Sequence, residues 1–122
     1  MQGITPIGSQ DARIQVQITG IGPKFLIKIS LQNSGNQPIL NSKLLFVYDD
    51  ELYAMGYSTR SSSVITIPIL LPGPKHIVET EVMNIDPQGK AGQVVILMHQ
   101  GGSSLPKLSA TVKMPLSELS QI

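Results

Sequence analysis

Cysteine and tryptophan are missing from this 122-residue chain, and its aromatic residues are limited to three tyrosines and two phenylalanines. Without a thiol, the chain has no disulfide framework, no thiolate metal site and no cysteine nucleophile. Charged residues are also scarce, at 14%, where globular domains typically have about 25%. So little charge suggests a surface that contacts partners.

Clusters of like charge are lacking too. Nine basic residues nearly balance eight acidic ones, and the basic residues are scattered singly, whereas nucleic-acid binding gathers them on one face. No apolar run approaches the ~20 residues that span a bilayer. The residues after Met1 also lack the basic and apolar segments of a signal peptide. We therefore expect a cytoplasmic protein that binds no nucleic acid.

What the chain does have is alternation of apolar and polar residues, the two-residue period of a half-buried strand. Ile14, Val16 and Ile18 form one such set. Turn residues separate the runs at roughly the 8 to 12 residues expected of a sandwich, and no helical period lasts longer than two turns. The predicted strands are residues 13–19, 25–32, 42–48, 52–55, 64–71, 76–82, 94–98 and 107–114. The sequence predicts an all-β protein, an immunoglobulin-like antiparallel β-sandwich of about eight strands, with a small closed barrel as the alternative.

The stretch Val64–Val82 is the most informative local pattern. An apolar run meets Pro72-Gly73 and then resumes, which predicts strand, turn and strand. Proline supplies the φ wanted at the second position of a type II turn, and glycine tolerates the positive φ of the next position. The stretch is too apolar for a solvent-facing hairpin, and we expect it to hold the two sheets in register.

Composition divides the chain into three parts. Residues 1–11 have no sustained period, and we expect a linker or an expression remnant that is flexible. Residues 12–115 form the predicted sandwich. Residues 116–122 form a short C-terminal tail, in which Leu116, Leu119 and Ile122 have the spacing of one face of a short helix.

Groups that carry chemistry do not assemble into a recognisable site. His76 and His99 fall on different predicted strands without a second metal ligand at a suitable spacing. Ser104–Lys107 fits a short serine-lysine pattern, but the partner motifs of that enzyme class are missing. Asp49–Glu51 is most simply a polar turn. We expect no catalytic residue, no metal and no cofactor.

Two groups of residues are candidates for partner binding. Tyr53, Met55 and Tyr57, together with Tyr48, gather aromatic and methionine side chains of the kind enriched in interfaces. Leu116 and Leu119 of the tail form the second group. Core packing is the alternative for the first group, and fraying is the alternative for the second.

Four pairs of segments carry a resemblance to a known family. They are Gly20–Phe25 with Ile29–Asn33, Leu44–Tyr48 with Leu52–Tyr53, Ile67–Gly73 with Glu79–Thr80, and Leu108–Pro115 with Ser117–Glu118. In order and spacing, nearly all of residues 13–118 resembles the C-terminal adaptin-ear-like (GAE) domain of Bardet-Biedl syndrome protein 1, a BBSome subunit. None of these segments is a catalytic motif.

The resemblance implies a scaffold function in a coat-like complex that traffics membrane proteins to and from cilia. In that family the ear follows a β-propeller and a helical part, so the chain would be an excised domain. The implied partners are other BBSome subunits, which include helical-repeat and propeller proteins. A small Arf-like GTPase would bind only through the propeller, and membrane association would be indirect. The implied location is the cytoplasm, the cilium and its basal body.

A second function stays open. Adaptin ears bind short aromatic and acidic peptides through a basic pocket, and the dispersed Lys and Arg here allow no such pocket to be assigned. The loop Gly56–Ser63 is also longer than the family's usual connection. A scaffold should expose an apolar patch of several hundred Å² that includes Tyr53 or Tyr57. A peptide-binding ear should bring at least three basic side chains to one groove.

Overall fold

The computed structural model describes residues 7, 8 and 11–119, and these residues form nine β-strands. Eight of the strands lie at the predicted positions, and the additional one is the two-residue β1. The strands are β1 (Ile7–Gly8), β2 (Ala12–Thr19), β3 (Lys24–Asn33), β4 (Ile39–Tyr48), β5 (Tyr53–Ala54), β6 (Val64–Leu70), β7 (Lys75–Asn84), β8 (Gln93–Gln100) and β9 (Leu108–Lys113).

The strands pair into two antiparallel sheets. The first sheet has the order β1-β9-β8-β4-β6, and the second has the order β2-β3-β7-β5. No ladder joins the two sheets among the described strands, so the fold is the predicted sandwich and not the closed barrel. The predicted fold class is confirmed.

Alternate side chains of the strands fill the space between the sheets. In β3 the residues Phe25, Ile27 and Ile29 are buried, and in β8 the residues Val94 and Ile96 are buried from the opposite sheet. These side chains belong to a single hydrophobic cluster. Fully burying a side chain of this size contributes about 1.5 to 3 kcal/mol, so the core holds the fold together without a disulfide.

The stretch Val64–Asn84 crosses from one sheet to the other. β6 pairs with β4 in the first sheet, whereas β7 pairs with β3 and β5 in the second. Gly73, in the turn between them, has a φ of +102°, so the predicted positive φ after Pro72 is confirmed. The predicted strand, turn and strand are present, and each strand belongs to a different sheet.

Asn33 ties this crossover to the end of β3. Its side chain is fully buried, and its Nδ2 donates to the carbonyl oxygens of Leu70 at 3.0 Å and Gln37 at 2.7 Å. Its Oδ1 accepts the N–H of Gly35 at 2.9 Å. Its backbone carbonyl accepts the N–H of Gly73 at 3.0 Å. One amide side chain therefore links β3 to the strand of the opposite sheet.

The loop between β5 and β6 is anchored along β7. Ser61 of this loop is buried, and its Oγ donates to the carbonyl oxygen of Glu81 at 2.6 Å. The next residue, Ser62, donates its N–H to Oγ1 of Thr80 at 2.8 Å and accepts a hydrogen bond from the same hydroxyl at 3.0 Å. The loop thus continues the edge of the second sheet beyond the short β5.

Both ends of the chain extend past the described residues. Residues 1–6, 9, 10 and 120–122 lie outside them, and so do most of the predicted linker and the candidate Ile122. Within the predicted linker, Ile7–Gly8 pairs with Leu108 and Ser109 of β9. The division of the chain into linker, sandwich and tail stays a prediction.

Candidate interaction surfaces

Tyr53 lies in the core. Its side chain is 1% exposed, and its hydroxyl accepts the N–H of Gly92 at 2.9 Å. Burial raises the pKa of Tyr53 above its ordinary value, although the hydrogen bond from Gly92 opposes that effect. An exposed patch was expected to include Tyr53 or Tyr57, and Tyr53 is not at the surface, because its side chain is used for packing and for satisfying a backbone donor.

Tyr57 is the exposed member of the predicted aromatic group. It is 37% exposed, and partial burial together with the nearby carboxylate of Glu81 raises its pKa. Glu81 also forms an ion pair with Arg60 at 3.7 Å. Met55 and Tyr48 are half-buried and pack against the core. A binding role for Met55 and Tyr57 stays a prediction.

The tail lies against one end of the sandwich. Leu116 is 75% exposed and Leu119 is 52% exposed, and the segment between them is not helical, so the predicted short helix is absent over these four residues. The N–H of Ser117 donates to the carbonyl oxygen of Gly89 at 3.0 Å, and the N–H of Glu118 donates to that of Ile21 at 2.8 Å. A binding role for the two leucines stays a prediction.

Two glycines make this tail contact possible. Gly22 and Gly89 both have positive φ, at +92° and +68°. A Cβ on either residue would overlap Ser117. The β2–β3 turn and the β7–β8 loop therefore bind the tail through backbone surfaces that only glycine leaves open.

The outer face of the first sheet carries an apolar patch that the sequence analysis did not single out. Leu45 and Val47 alternate with buried residues of β4 and point outward. Directly opposite them on β8 are Leu97 and Val95, and Leu45 also faces Val64 of β6. Directly opposed residues of antiparallel strands share a face. We call these five residues the outer apolar patch.

The outer apolar patch is open to solvent in the described part of the chain. Val47 is 52% exposed and Val64 is 47% exposed. Leu45, Val95 and Leu97 are half-buried by their neighbours. Contiguous exposed apolar side chains on a sheet face are typical of a protein interface.

Basic and uncharged polar residues border the outer apolar patch on the strands themselves. Beyond Leu45, Lys43 lies between His99 of β8 and Thr66 of β6. At the other end, Gln93 of β8 lies opposite Lys113 of β9. The strands β4, β6, β8 and β9 contain no Asp or Glu.

Three carboxylates follow the end of β4 directly in the sequence, in the turn Asp49–Glu51. The side chain of Asp49 is engaged there, since its Oδ1 accepts the N–H of Glu51 at 2.9 Å. His99 has its Nδ1 3.3 Å from the carbonyl oxygen of Ser103. Because Lys43 is exposed and the strands around it carry no carboxylate, the end of the patch at Lys43 is positively charged.

The outer face of the second sheet is of the ordinary polar kind. Lys28 of β3 lies opposite Glu79 of β7, a pairing of unlike charges across strands. Ile77 is an exposed apolar residue on this face, at 46%. The two outer faces of the sandwich therefore differ in character, and the face of the first sheet is the candidate interaction surface.

The sequence contains a signal for this patch. Leu44–Val47 and Val94–Met98 are continuous apolar runs, and a strand of that kind is apolar on both faces. A run such as Val94–Met98 is typical of a strand buried on both faces or at a sheet centre, and β8 does lie between β9 and β4. On the outer side, however, the residues of these runs are only half-buried or exposed in the described chain, which leaves the outward half of each run at the surface.

Neither a cluster of metal ligands nor a membrane-spanning helix occurs in the part of the chain that the structure describes. It contains no group of three or more His, Asp or Glu residues placed to hold a metal ion. None of its residues form a helix long and apolar enough to cross a membrane. His76 and His99 lie on strands of different sheets.

Comparison with known proteins identifies the family. A family model described as the GAE domain of Bardet-Biedl syndrome 1 protein matches residues 12–121. The chain belongs to the BBS1 GAE-domain family. The BBSome complex member BBS1 of Mus musculus is 31% identical over 107 residues, which cover 87% of this chain. The Homo sapiens protein of the same name is 32% identical over 107 residues, again 87% of this chain.

The GAE domain is a small part of those relatives, since the chain spans 17% of the length of each. The resemblance seen in the sequence is confirmed. Its carrier segments have structural roles in this GAE domain. Gly20–Phe25 includes the turn that contacts the tail, and Ile67–Gly73 forms the crossover between the sheets.

Proposed function

We propose that this GAE domain is a non-catalytic scaffold domain of a BBSome subunit, and that it helps to assemble the coat-like complex that traffics membrane proteins to and from cilia. Its site of action is then the cytoplasm and the ciliary base. The observation that carries the proposal is the outer apolar patch, an uncovered apolar area on a sheet that already has a complete core on its other side.

The proposal has support from energetics as well as from the family. Covering the exposed half of Val47 or of Val64 contributes about 1 kcal/mol each by apolar burial. A docked subunit would gain this energy without any change in the sandwich. By contrast, a reactive function has no support from the described residues, in which His76 and His99 lie apart and no metal cluster occurs.

The proposed partners are other BBSome subunits, of the helical-repeat or propeller type. A capture experiment tests this: the 122-residue chain is immobilised and offered each remaining BBSome subunit of the same organism separately. We expect at least one subunit to be retained in a saturable manner. Peptides with aromatic and acidic residues are offered in parallel, because the alternative is an adaptin-type ear. Retention of such peptides, with no subunit retained, would replace the scaffold function by the alternative.

A further inference from the structure

The dimensions of the outer apolar patch limit what can cover it. Leu45 and Val47 are two residues apart on β4, about 7 Å at 3.4 Å per residue, and the patch crosses three strands about 4.8 Å apart. The Cα positions therefore span roughly 7 by 10 Å. A single α-helix has a diameter of about 10 to 12 Å, and two of its turns are about 11 Å long. The patch has the size of one helix and is too small for a second sheet.

The edge of the first sheet is a poorer place for a partner to bind as a strand. β6 is the edge strand, and Pro68 within it has no N–H to donate to an added strand. A partner that approached this side would find an interrupted row of backbone donors. The face of the sheet offers an uninterrupted apolar surface instead.

Charge decides which helix fits. Lys43 is exposed at one end of the outer apolar patch, next to His99, and none of the strands that form or border the patch carries a carboxylate. A basic helix would place like charges together there, whereas an acidic helix would place carboxylates within reach of the Lys43 ammonium. Electrostatic complementarity of this kind selects partners more than it adds affinity.

We propose that the outer apolar patch of Leu45, Val47, Val64, Val95 and Leu97 binds one amphipathic α-helix of a partner subunit, with Asp or Glu residues of that helix placed over Lys43. The inference rests on the proposed scaffold function. It goes further by assigning the surface of this domain that is used and the kind of segment that it binds.

Site-specific photo-crosslinking in the captured complex tests the inference. The variant Val47→p-benzoylphenylalanine is assembled with the retained subunit, irradiated and analysed by mass spectrometry. We expect an adduct within a helical segment that has apolar residues three and four apart and neighbouring carboxylates. The variant Ile77→p-benzoylphenylalanine is the matched control, because Ile77 is similarly exposed on the outer face of the other sheet, and it should give no such adduct.

Charge reversal supplies a second readout. Lys43→Glu should weaken capture three- to tenfold at 0.15 M salt, where charges are screened beyond about 8 Å, and should reduce its salt dependence. Lys75→Glu, exposed on β7 of the other sheet, should leave capture unchanged.

Each contrary result has a definite meaning. An adduct at Val47 with a strand, a loop or a second copy of this chain would overturn the helix assignment. Equal capture by Lys43→Glu and Lys75→Glu would overturn the acidic partner. A captured subunit with no adduct at Val47 would overturn this inference and leave the scaffold function standing. Capture of no subunit would overturn both.

Discussion

Replacing Asn33 by alanine should lower the free energy of unfolding by about 3 kcal/mol. The substitution removes three side-chain hydrogen bonds, to Leu70, Gln37 and Gly35, and each contributes about 1 kcal/mol net. The loss of free energy lies at the upper end of the range for buried hydrogen-bonding groups, because the carbonyl oxygen of Leu70 is left inside the fold without its donor. For a chain of this length such a loss lowers Tm by roughly 10 °C.

Urea unfolding followed by circular dichroism measures this change, with Asn36→Ala as the control. Asn36 is exposed in the turn that follows Asn33, and surface substitutions of this kind change stability by about 0.5 kcal/mol or less. If Asn33→Ala unfolded at the same urea concentration as Asn36→Ala, the reasoning that one amide fastens the crossover to β3 would be refuted.

Two further substitutions test contacts around the sandwich. Tyr53→Phe should cost about 1 to 2 kcal/mol by leaving the N–H of Gly92 without an acceptor. The difference in free energy of unfolding between Tyr53→Phe and the unchanged chain should become smaller above about pH 10. Folding raises the pKa of Tyr53, so the unchanged chain loses the stability linked to neutral Tyr53 as pH rises, whereas phenylalanine has no such group to titrate. A constant deficit across that range would contradict the raised pKa. Gly89→Ala should displace the tail and speed amide exchange at Ser117. Gly101 has a similar positive φ but open space around it, so Gly101→Ala should leave amide exchange at Ser117 unchanged. Equal exchange in the two glycine variants would remove Gly89 from the tail contact.

Strand positions could be predicted because the signal for them is local. Alternation fixes which residues of a strand share a face, and the runs at β2, β3 and β9 alternate clearly. The turn at Pro72-Gly73 could be predicted for a similar reason, since its backbone geometry depends on two residues. The assignment of β6 and β7 to different sheets depends on pairing with β4 and β3, which lie far away in the sequence.

The candidate surface was harder to predict because exposure depends on what lies opposite a side chain. For Tyr53, residue type left both partner binding and core packing open, and a hydrogen bond with Gly92, 39 positions away, holds its hydroxyl inside the fold. Leu45 and Val47 stand in a continuous apolar run, which does not show which of its residues are covered. Only the register of β4 with β6 and β8 shows that their outward faces combine into a patch.

The central claim is that the outer apolar patch is the surface through which this GAE domain binds a BBSome subunit. Its most direct test compares the affinity of Val47→Asp and Ile77→Asp for the captured subunit. The two residues have similar exposure on opposite outer faces, so each substitution perturbs the fold to a similar extent. We predict that Val47→Asp weakens binding at least tenfold, the equivalent of about 1.4 kcal/mol, and that Ile77→Asp leaves it unchanged. Equal affinities, or a greater loss for Ile77→Asp, would contradict the account.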